Sequence, residues 1–254
     1  METQKHNVDV FNRDVSAIGS YAYTTDRLSS VLANKRLSDA FVELYSPQGK
    51  HLLDLGCGDG TYSLELIQRG ADIVLGVDPS EKAVVAATAK AEKAGLTDKA
   101  HFQVGNIYEL SLTAHFDCIV LRGLLHHLPD AAKALQSVAA FADTVLIIEP
   151  NGYNPVLKLI EKASRYHREH EEQSFSPRLI RRWLTDAGLQ VTAQKFVNCV
   201  PFFCPDWLTK ICKAVEPMAE TMPIVRNICC GQYIALAKKK NSNRPRNSFI
   251  NVRR

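Results

Sequence analysis

This 254-residue sequence predicts an α/β fold: a doubly wound, Rossmann-like sheet of seven strands, mostly parallel. Three observations carry that expectation. Short apolar runs alternate with helical patterns from His51 to Ile148, which is how strand–helix–strand crossovers read. The first run ends in a glycine-rich turn, Asp54-Leu55-Gly56-Cys57-Gly58-Asp59-Gly60, and a helical pattern leaves it. The second run, Ile73–Val77, is nearly all apolar, as a strand buried on both faces would be.

The elements follow in order. Residues 1–24 have weak periodicity, with Phe11, Tyr21 and Tyr23 as packing residues. Thr25 is placed to cap a helix from Asp26 to about Tyr45, with Leu28, Val31, Leu32, Phe41 and Leu44 mainly on one face. Pro47 and Gly49 end it, and residues 1–45 read as an N-terminal helical cap. His51–Leu55 is the first strand, and Thr61–Arg69 a helix closed by Gly70. Ile73–Val77 is the second strand, ending at Asp78-Pro79-Ser80. Ser80 caps the helix Glu81–Ala94, which stops at Gly95. His101–Val104 and Phe116–Leu121 are the third and fourth strands. Asp130–Phe141 is a helix, and Thr144–Ile148 the fifth strand.

After Glu149 the pattern changes. Val156–Tyr166 reads as helix within a lid insertion over 153–175, dense in charge and histidine from Tyr166 to Gln173. Ser176-Pro177 starts another helix, with proline in the first turn, and Gly188 ends it. Val191–Val197 is a strand, Phe202–Met218 an apolar, partly helical insertion, and Gln232–Ala237 the last strand.

Composition narrows the class. Hydrophobic residues make up 46% of the chain, ample for a core. No apolar run approaches the ~20 residues of a membrane helix, and Met1–Asp9 is polar, without the apolar stretch of a signal peptide. The expectation is a soluble, cytoplasmic protein with no membrane association. The 7 cysteines form no C-x-x-C pair and read as reduced thiols. Seven Lys or Arg and no acid lie between Lys238 and Arg254; without them the net charge of +4 becomes −3. Residues 241–254 are therefore expected to be a solvated, disordered basic tail, and nucleic acid is not an expected partner. Nothing in the sequence fixes the oligomeric state.

The turn after the first strand is the most informative stretch. A dinucleotide fingerprint needs G-x-G-x-x-G; here the third glycine comes one residue early and Thr61 takes its place. No triphosphate-binding G-x-x-x-x-G-K-[ST] is present. The D-x-G-x-G-x-G string instead resembles the first motif of class I S-adenosylmethionine methyltransferases, over roughly residues 45–240. The resemblance implies that S-adenosylmethionine is the cofactor and that Asp54, Gly56, Cys57, Gly58 and Gly60 border its amino-acid part.

Asp78 ends the second strand 20 residues beyond Gly58, where a carboxylate can accept both ribose hydroxyls; Pro79 follows it. Asn106 and Ile107 stand after the third strand, and the resemblance implies an adenine site there. The segment Arg122-Gly123-Leu124-Leu125-His126-His127-Leu128-Pro129 resembles the stretch beside the sulfonium in small-molecule members; Arg122 is assigned to the cofactor. His127, and after it His126, are the candidates for a general base. Glu149-Pro150-Asn151-Gly152-Tyr153-Asn154-Pro155 is similar to a segment of bacterial members tied to polysaccharide or specialised metabolism. Tyr21, Tyr23, Glu149 and Asn151 are the candidates for acceptor contact. His167, His170, Glu171 and Glu172 have metal-like spacing, but they read as a charged lid segment and no metal is expected.

The function expected is methyl transfer to a small or medium polar acceptor, with a hydroxyl favoured by the histidines. A protein or RNA methyltransferase is the rival among enzymes. A non-catalytic S-adenosylmethionine-binding regulator is the rival from another class.

Overall fold

Strand–helix alternation governs the computed structural model, which describes residue 23 and residues 25–112, 114–163 and 173–240. Tyr21, the charged segment holding His167, His170, Glu171 and Glu172, and the basic tail 241–254 lie outside the described residues.

The strands are β1 (His51–Leu55), β2 (Ile73–Asp78), β3 (Ala100–Val104), β4 (Cys118–Arg122), β5 (Thr144–Pro150), β6 (Leu189–Val197) and β7 (Gln232–Lys239). They form one seven-stranded sheet in the order β3-β2-β1-β4-β5-β7-β6. β1 to β5 are parallel, and β7 runs antiparallel between β5 and β6. The direction of winding reverses between β1 and β4, so the crevice at their carboxyl ends is where such a sheet receives a ligand.

Side-chain alternation along the central strands explains the layers. Leu53 and Leu55 of β1, Ile119 and Leu121 of β4, and Val145 and Ile147 of β5 face one cluster. That cluster is closed by α4 (Ala131–Val138) and α6 (Pro177–Asp186). Leu52, Val120, Leu146 and Ile148 face the other. There α1 (Leu28–Leu44) and α2 (Thr61–Gln68) bring Leu37, Phe41, Leu64 and Ile67. In α3 (Glu81–Ala94) the buried residues are Ala83, Ala87 and Ala91, small at every fourth position, so the helix lies close to the sheet.

Capping follows the sequence in three places. Ser80 accepts from Ala83 N–H, Ser176 accepts from Leu179 N–H with Pro177 next to it, and Gly95 closes α3 in the left-handed region. Several boundaries differ, and four bear on the argument. α1 starts at Leu28 behind Arg27, which gives no side-chain cap, so Thr25 is not its cap. Phe116 makes only an isolated parallel bridge to Ala142, and β4 begins at Cys118. α4 ends at Val138 rather than Phe141. The apolar stretch expected over Phe202–Met218 is α7 (Asp206–Thr221), which passes through Pro217 and turns into α8 (Pro223–Cys229). The lid insertion is described as α5 (Pro155–Ala163) and the chain from residue 173. No helix among the described residues is long and apolar enough to cross a membrane.

Candidate active site

The turn after β1 is built by three left-handed glycines: Gly56, Gly58 and Gly60, with φ of +72°, +54° and +74°. Only glycine adopts that region without cost. Gly56 N–H and Cys57 N–H donate to the carbonyl of Val77 at 2.8 and 3.3 Å, which ties the turn to the end of β2. The glycines have different neighbours. A Cβ on Gly56 would meet Leu124, and one on Gly60 would lie 2.7 Å from Ala87 Cβ. Gly60 therefore serves the contact between the turn and α3.

Asp78 completes this corner. Its Oδ2 accepts Gly58 N–H and its Oδ1 accepts Ser80 N–H, both at 2.9 Å. Burial raises its pKa, against the pull of those two hydrogen bonds. Asp54 lies beneath the turn, with Oδ2 accepting the Ser63 hydroxyl at 2.5 Å. Burial pushes it up to about 6, while the Ser63 hydrogen bond and the Arg122 charge partly offset that and Asp78 adds to it. Burial, with Asp54 and Asp78 nearby, also raises the Cys57 thiol, so it is a neutral wall group.

Above the carboxyl edge lies a cavity of about 730 Å3. Gly56, Cys57, Asp78, Pro79, Ile107 and Arg122 are on its wall, together with His126, His127 and Tyr23. The structure thus brings together residues expected from five separate stretches. Asp54, Gly58 and Gly60 lie behind that wall and shape it.

Three more expected site residues do not reach the cavity wall. Asn106 caps the short 3-10 helix Ile107–Glu109, its Oδ1 accepting Tyr108 N–H at 3.0 Å. Glu149, 1% exposed, accepts the backbone N–H of Leu124, Leu125 and His126 at 2.8, 2.7 and 3.3 Å. It also contacts His126 Nδ1 at 2.8 Å. Asn151 is buried, donating to the carbonyls of Asn227 and Cys230 and accepting Tyr153 N–H. Buried polar groups must be satisfied; Glu149 and Asn151 are satisfied largely by the main chain they hold, and the half-buried Asn106 holds its own turn. The segment from Glu149 to Pro155 is therefore a clamp. Gly152 belongs to it because a Cβ there would stand 2.4 Å from the Phe175 carbonyl.

Arg122 lines the cavity but spends its guanidinium on the N-terminal side. It donates to Ser38 Oγ at 2.9 Å and to Asn34, and its Cζ lies 3.5 Å from the Tyr62 ring centroid. His126 and His127 share the wall in the 3-10 turn Leu125–His127, with ring centroids 3.9 Å apart.

Sequence reasoning missed two groups. Asp59 lines the cavity, accepts Thr61 N–H and pairs with Lys90 at 2.7 Å. The second group is the chain after β6, where Val200, Phe202 and Phe203 form the wall with Ile160 and Ile228. Tyr23 packs on Phe202 and Phe203 with centroids 5.2 Å away in each case. Asn198 and Phe203 have φ of +66° and +65°, uncommon for residues with a side chain and costly for a bulky one. No glycine marks these turns, so no local signal announced them. No group of three or more His, Cys, Asp or Glu among the described residues could hold a metal ion.

Comparison with known proteins gives consistent findings. A family model described as a methyltransferase domain matches residues 29–194. The chain is 39% identical over 106 residues to a ubiquinone biosynthesis O-methyltransferase of Coxiella burnetii, covering 41% of this chain and 42% of that protein. It is 29% identical over 181 residues to the protein of that name from Haemophilus ducreyi, covering 63% and 73%. The matches to the first of these curated relatives thus span less than half of their length. Among solved structures, magnesium protoporphyrin IX methyltransferase from Synechocystis with bound S-adenosylmethionine superposes with a TM-score of 0.65 at 18% identity. That match covers 94% of this chain and 98% of the other, and at this identity the likeness is one of fold.

Proposed function

This chain belongs to the methyltransferase-domain family, and from that premise we propose that it transfers a methyl group from S-adenosylmethionine to a hydroxyl oxygen of an acceptor with a largely apolar frame. The observation that carries the hydroxyl reading is the 2.8 Å pairing of His126 with Glu149 beside the cavity. A hydroxyl becomes a good nucleophile once its proton is taken, and a positioned imidazole takes it near neutral pH.

The proton positions follow from the partners. Glu149 is surrounded by N–H donors, so it acts as an acceptor and Nδ1 of His126 carries the hydrogen. Nε2 is then the nitrogen that carries no hydrogen and can take a proton. His126 is the base in this reading, Glu149 its positioning residue, and His127 the neighbour that limits its movement. This reverses the order expected from sequence, which put His127 first.

The wall fits S-adenosylmethionine. When bound, that group supplies an electrophilic methyl already attached to its leaving group. Asp78 would take the ribose hydroxyls on lone pairs left over from Gly58 and Ser80. Pro79 and Ile107 offer apolar contact for the adenine, and Gly56 and Cys57 let the amino-acid part approach the main chain. Asn106, whose Oδ1 caps the neighbouring turn, shapes the adenine side. A cavity of about 730 Å3 accommodates both cofactor and acceptor, since ligand pockets run from roughly 300 to 1,000 Å3. Tyr23, Phe202, Phe203 and Ile160 give the acceptor side its apolar character, and the relatives named above are O-methyltransferases.

Incubation with S-adenosylmethionine and a panel of phenols, alcohols and amines, read by mass, tests this. Methyl ethers and S-adenosylhomocysteine are expected. Products methylated only at nitrogen would overturn the hydroxyl assignment, and absence of turnover across the panel would overturn the activity.

A further inference from the structure

We propose that Cys199 and Cys230 are a reversible thiol pair at the cavity wall, joined into a disulfide when hydrogen peroxide reaches it. β6 and β7 are antiparallel, and their ladder ends with Val197 opposite Gln232. The pairing runs one step further, where Gly231 N–H donates to the Asn198 carbonyl at 2.7 Å. Cys199 and Cys230 come next and face each other, with Sγ 3.8 Å from Sγ. A disulfide bond is about 2.0 Å long, so bonding asks each sulfur to move roughly 0.9 Å. Cys199 N–H donates to Glu216 Oε2 at 3.1 Å, and the Cys230 carbonyl accepts Nδ2 of Asn151 and of Asn154 at 2.9 and 3.3 Å. Both main chains are thus anchored from outside the pair, which keeps the sulfurs opposite each other.

The two sulfurs differ in access. Cys199 is half-buried and lines the cavity, whereas Cys230 is 0% exposed. A small oxidant in the cavity therefore reaches Cys199 first. Cys199 is also the better nucleophile, because the thiolate is the reactive form. The hydrogen bond from the Cys230 thiol lowers its pKa, helped by Lys213, against burial and the charges of Glu216 and Glu220. That same hydrogen bond, with burial, raises Cys230, which keeps its proton until the second step. Cys57 and Cys118 are buried, and burial raises both, so they are inert by comparison.

The chemistry balances in two steps. The Cys199 thiolate attacks the peroxide: an S–O bond forms, the O–O bond breaks, and hydroxide leaves to take up the proton that Cys199 had lost. The Cys230 sulfur then displaces the hydroxyl of that sulfenic acid: an S–S bond forms, the S–O bond breaks, and water leaves with the Cys230 proton. The sulfurs are oxidised by an electron pair, and the peroxide is reduced to water by the same pair. A small dithiol restores both thiols by exchange. The reduced thiols expected from sequence are the resting form in this scheme. The bond would tie the chain that carries Val200, Phe202 and Phe203 to the clamp at Asn151 and Asn154, so oxidation acts on the apolar side of the cavity.

Brief treatment of the folded full chain with hydrogen peroxide, then alkylation, digestion and mass spectrometry without reductant, tests the pair. A joined peptide linking Cys199 to Cys230 is expected, lighter by two hydrogens than the separate thiol peptides and split by dithiothreitol. Cys199→Ser should lower its yield at least ~10-fold. Cys229→Ser should leave the yield unchanged, which separates Cys230 from its exposed neighbour. Cys199 is half-buried and Cys229 exposed, so both variants should fold, and their melting temperatures check that. Three results would overturn the proposal. The first is Cys199 left unoxidised, or oxidised without a joined peptide. The second is loss of the joined peptide in Cys229→Ser, which would make Cys229 the partner. The third is a bond between two chains, seen as a dimer on a non-reducing gel. The readout needs no turnover, so absence of methyl transfer would sink the function proposed above and leave this pair untouched.

Discussion

Nδ1 of His126 lies 2.8 Å from Oε2 of Glu149, and the same carboxylate gathers the main-chain N–H groups of Leu124, Leu125 and His126. One buried carboxylate therefore sets both the shape of the loop after β4 and the tautomer of a histidine on the cavity wall. Loop geometry and the setting of that ring depend on a single side chain.

His126→Ala is expected to lower methyl transfer ~10²-fold or more with S-adenosylmethionine affinity within a few-fold of the parent. His127→Ala should do less. Steady-state kinetics and calorimetry on both variants check this, and equal losses would remove the distinction between the two rings.

Glu149→Gln leaves one acceptor oxygen and turns an amide N–H2 towards N–H donors. A fold stability loss of about 1–3 kcal/mol is expected, along with a fall in turnover. Glu149→Asp, if the backbone adjusts, should recover part of both. Chemical denaturation and turnover measured on the same preparations provide the check.

Asp78→Ala removes a charged acceptor at the cavity wall. Hydrogen bonds to charged groups are worth about 1.5–3 kcal/mol, so affinity for S-adenosylmethionine should fall roughly 10- to 100-fold. Because burial raises the Asp78 pKa, binding to the parent should weaken as pH falls, starting above the ordinary carboxylate range. Unchanged affinity in a folded Asp78→Ala protein would remove Asp78 from the cofactor site.

Asp54 makes the pH dependence of stability testable. Its folded pKa of about 6 exceeds the ordinary value of 3.8, so between those two values the folded state binds more protons than the unfolded. Stability contributed by this group is thus present below about pH 4 and declines as pH rises to about 6. Its full size is about 3 kcal/mol. Asp54→Asn keeps an acceptor for Ser63 and cannot titrate, so its melting temperature should gain on the parent between pH 4 and 6 and hold that gain above. A constant difference across that range would rule out burial of the ionised carboxylate as the cause.

Two glycine substitutions should separate strain from crowding. Gly95→Ala meets no atom within 4 Å at φ +65°, so it should cost about 1–2 kcal/mol for the left-handed backbone alone. Gly60→Ala has the same kind of backbone and would also put a methyl 2.7 Å from Ala87 Cβ, so its loss should be clearly larger. Thermal melts of the two variants side by side decide the point.

Features set by neighbours in sequence were legible. The glycine turn, the caps at Ser80 and Ser176, and the strand run into Asp78 all rest on local backbone conformation or side-chain alternation. Glu149 and Asn151 show where that reasoning stops. A polar residue at a strand end looks alike in sequence whether it meets a ligand or holds a turn. The partners that separate these cases lie far off: Leu124 for Glu149 and Asn227 for Asn151. Insertion of β7 between β5 and β6 is also a long-range choice. The aromatic wall after β6 depends on left-handed turns at Asn198 and Phe203; asparagine tolerates that region, but phenylalanine does not announce it.

The antiparallel direction of β7 also decides how the molecule can be held. Gln232 pairs with Pro150 at the carboxyl edge, and Lys238 pairs with Thr144 at the opposite one. The 8 residues of β7 carry the chain about 25 Å away from the cavity. A sensor chip or bead coupled at Lys239, the end of β7, would grip the protein from behind, with the mouth turned to the flowing solution. Coupling through Cys229, which is exposed and lines the cavity, would press that mouth against the support.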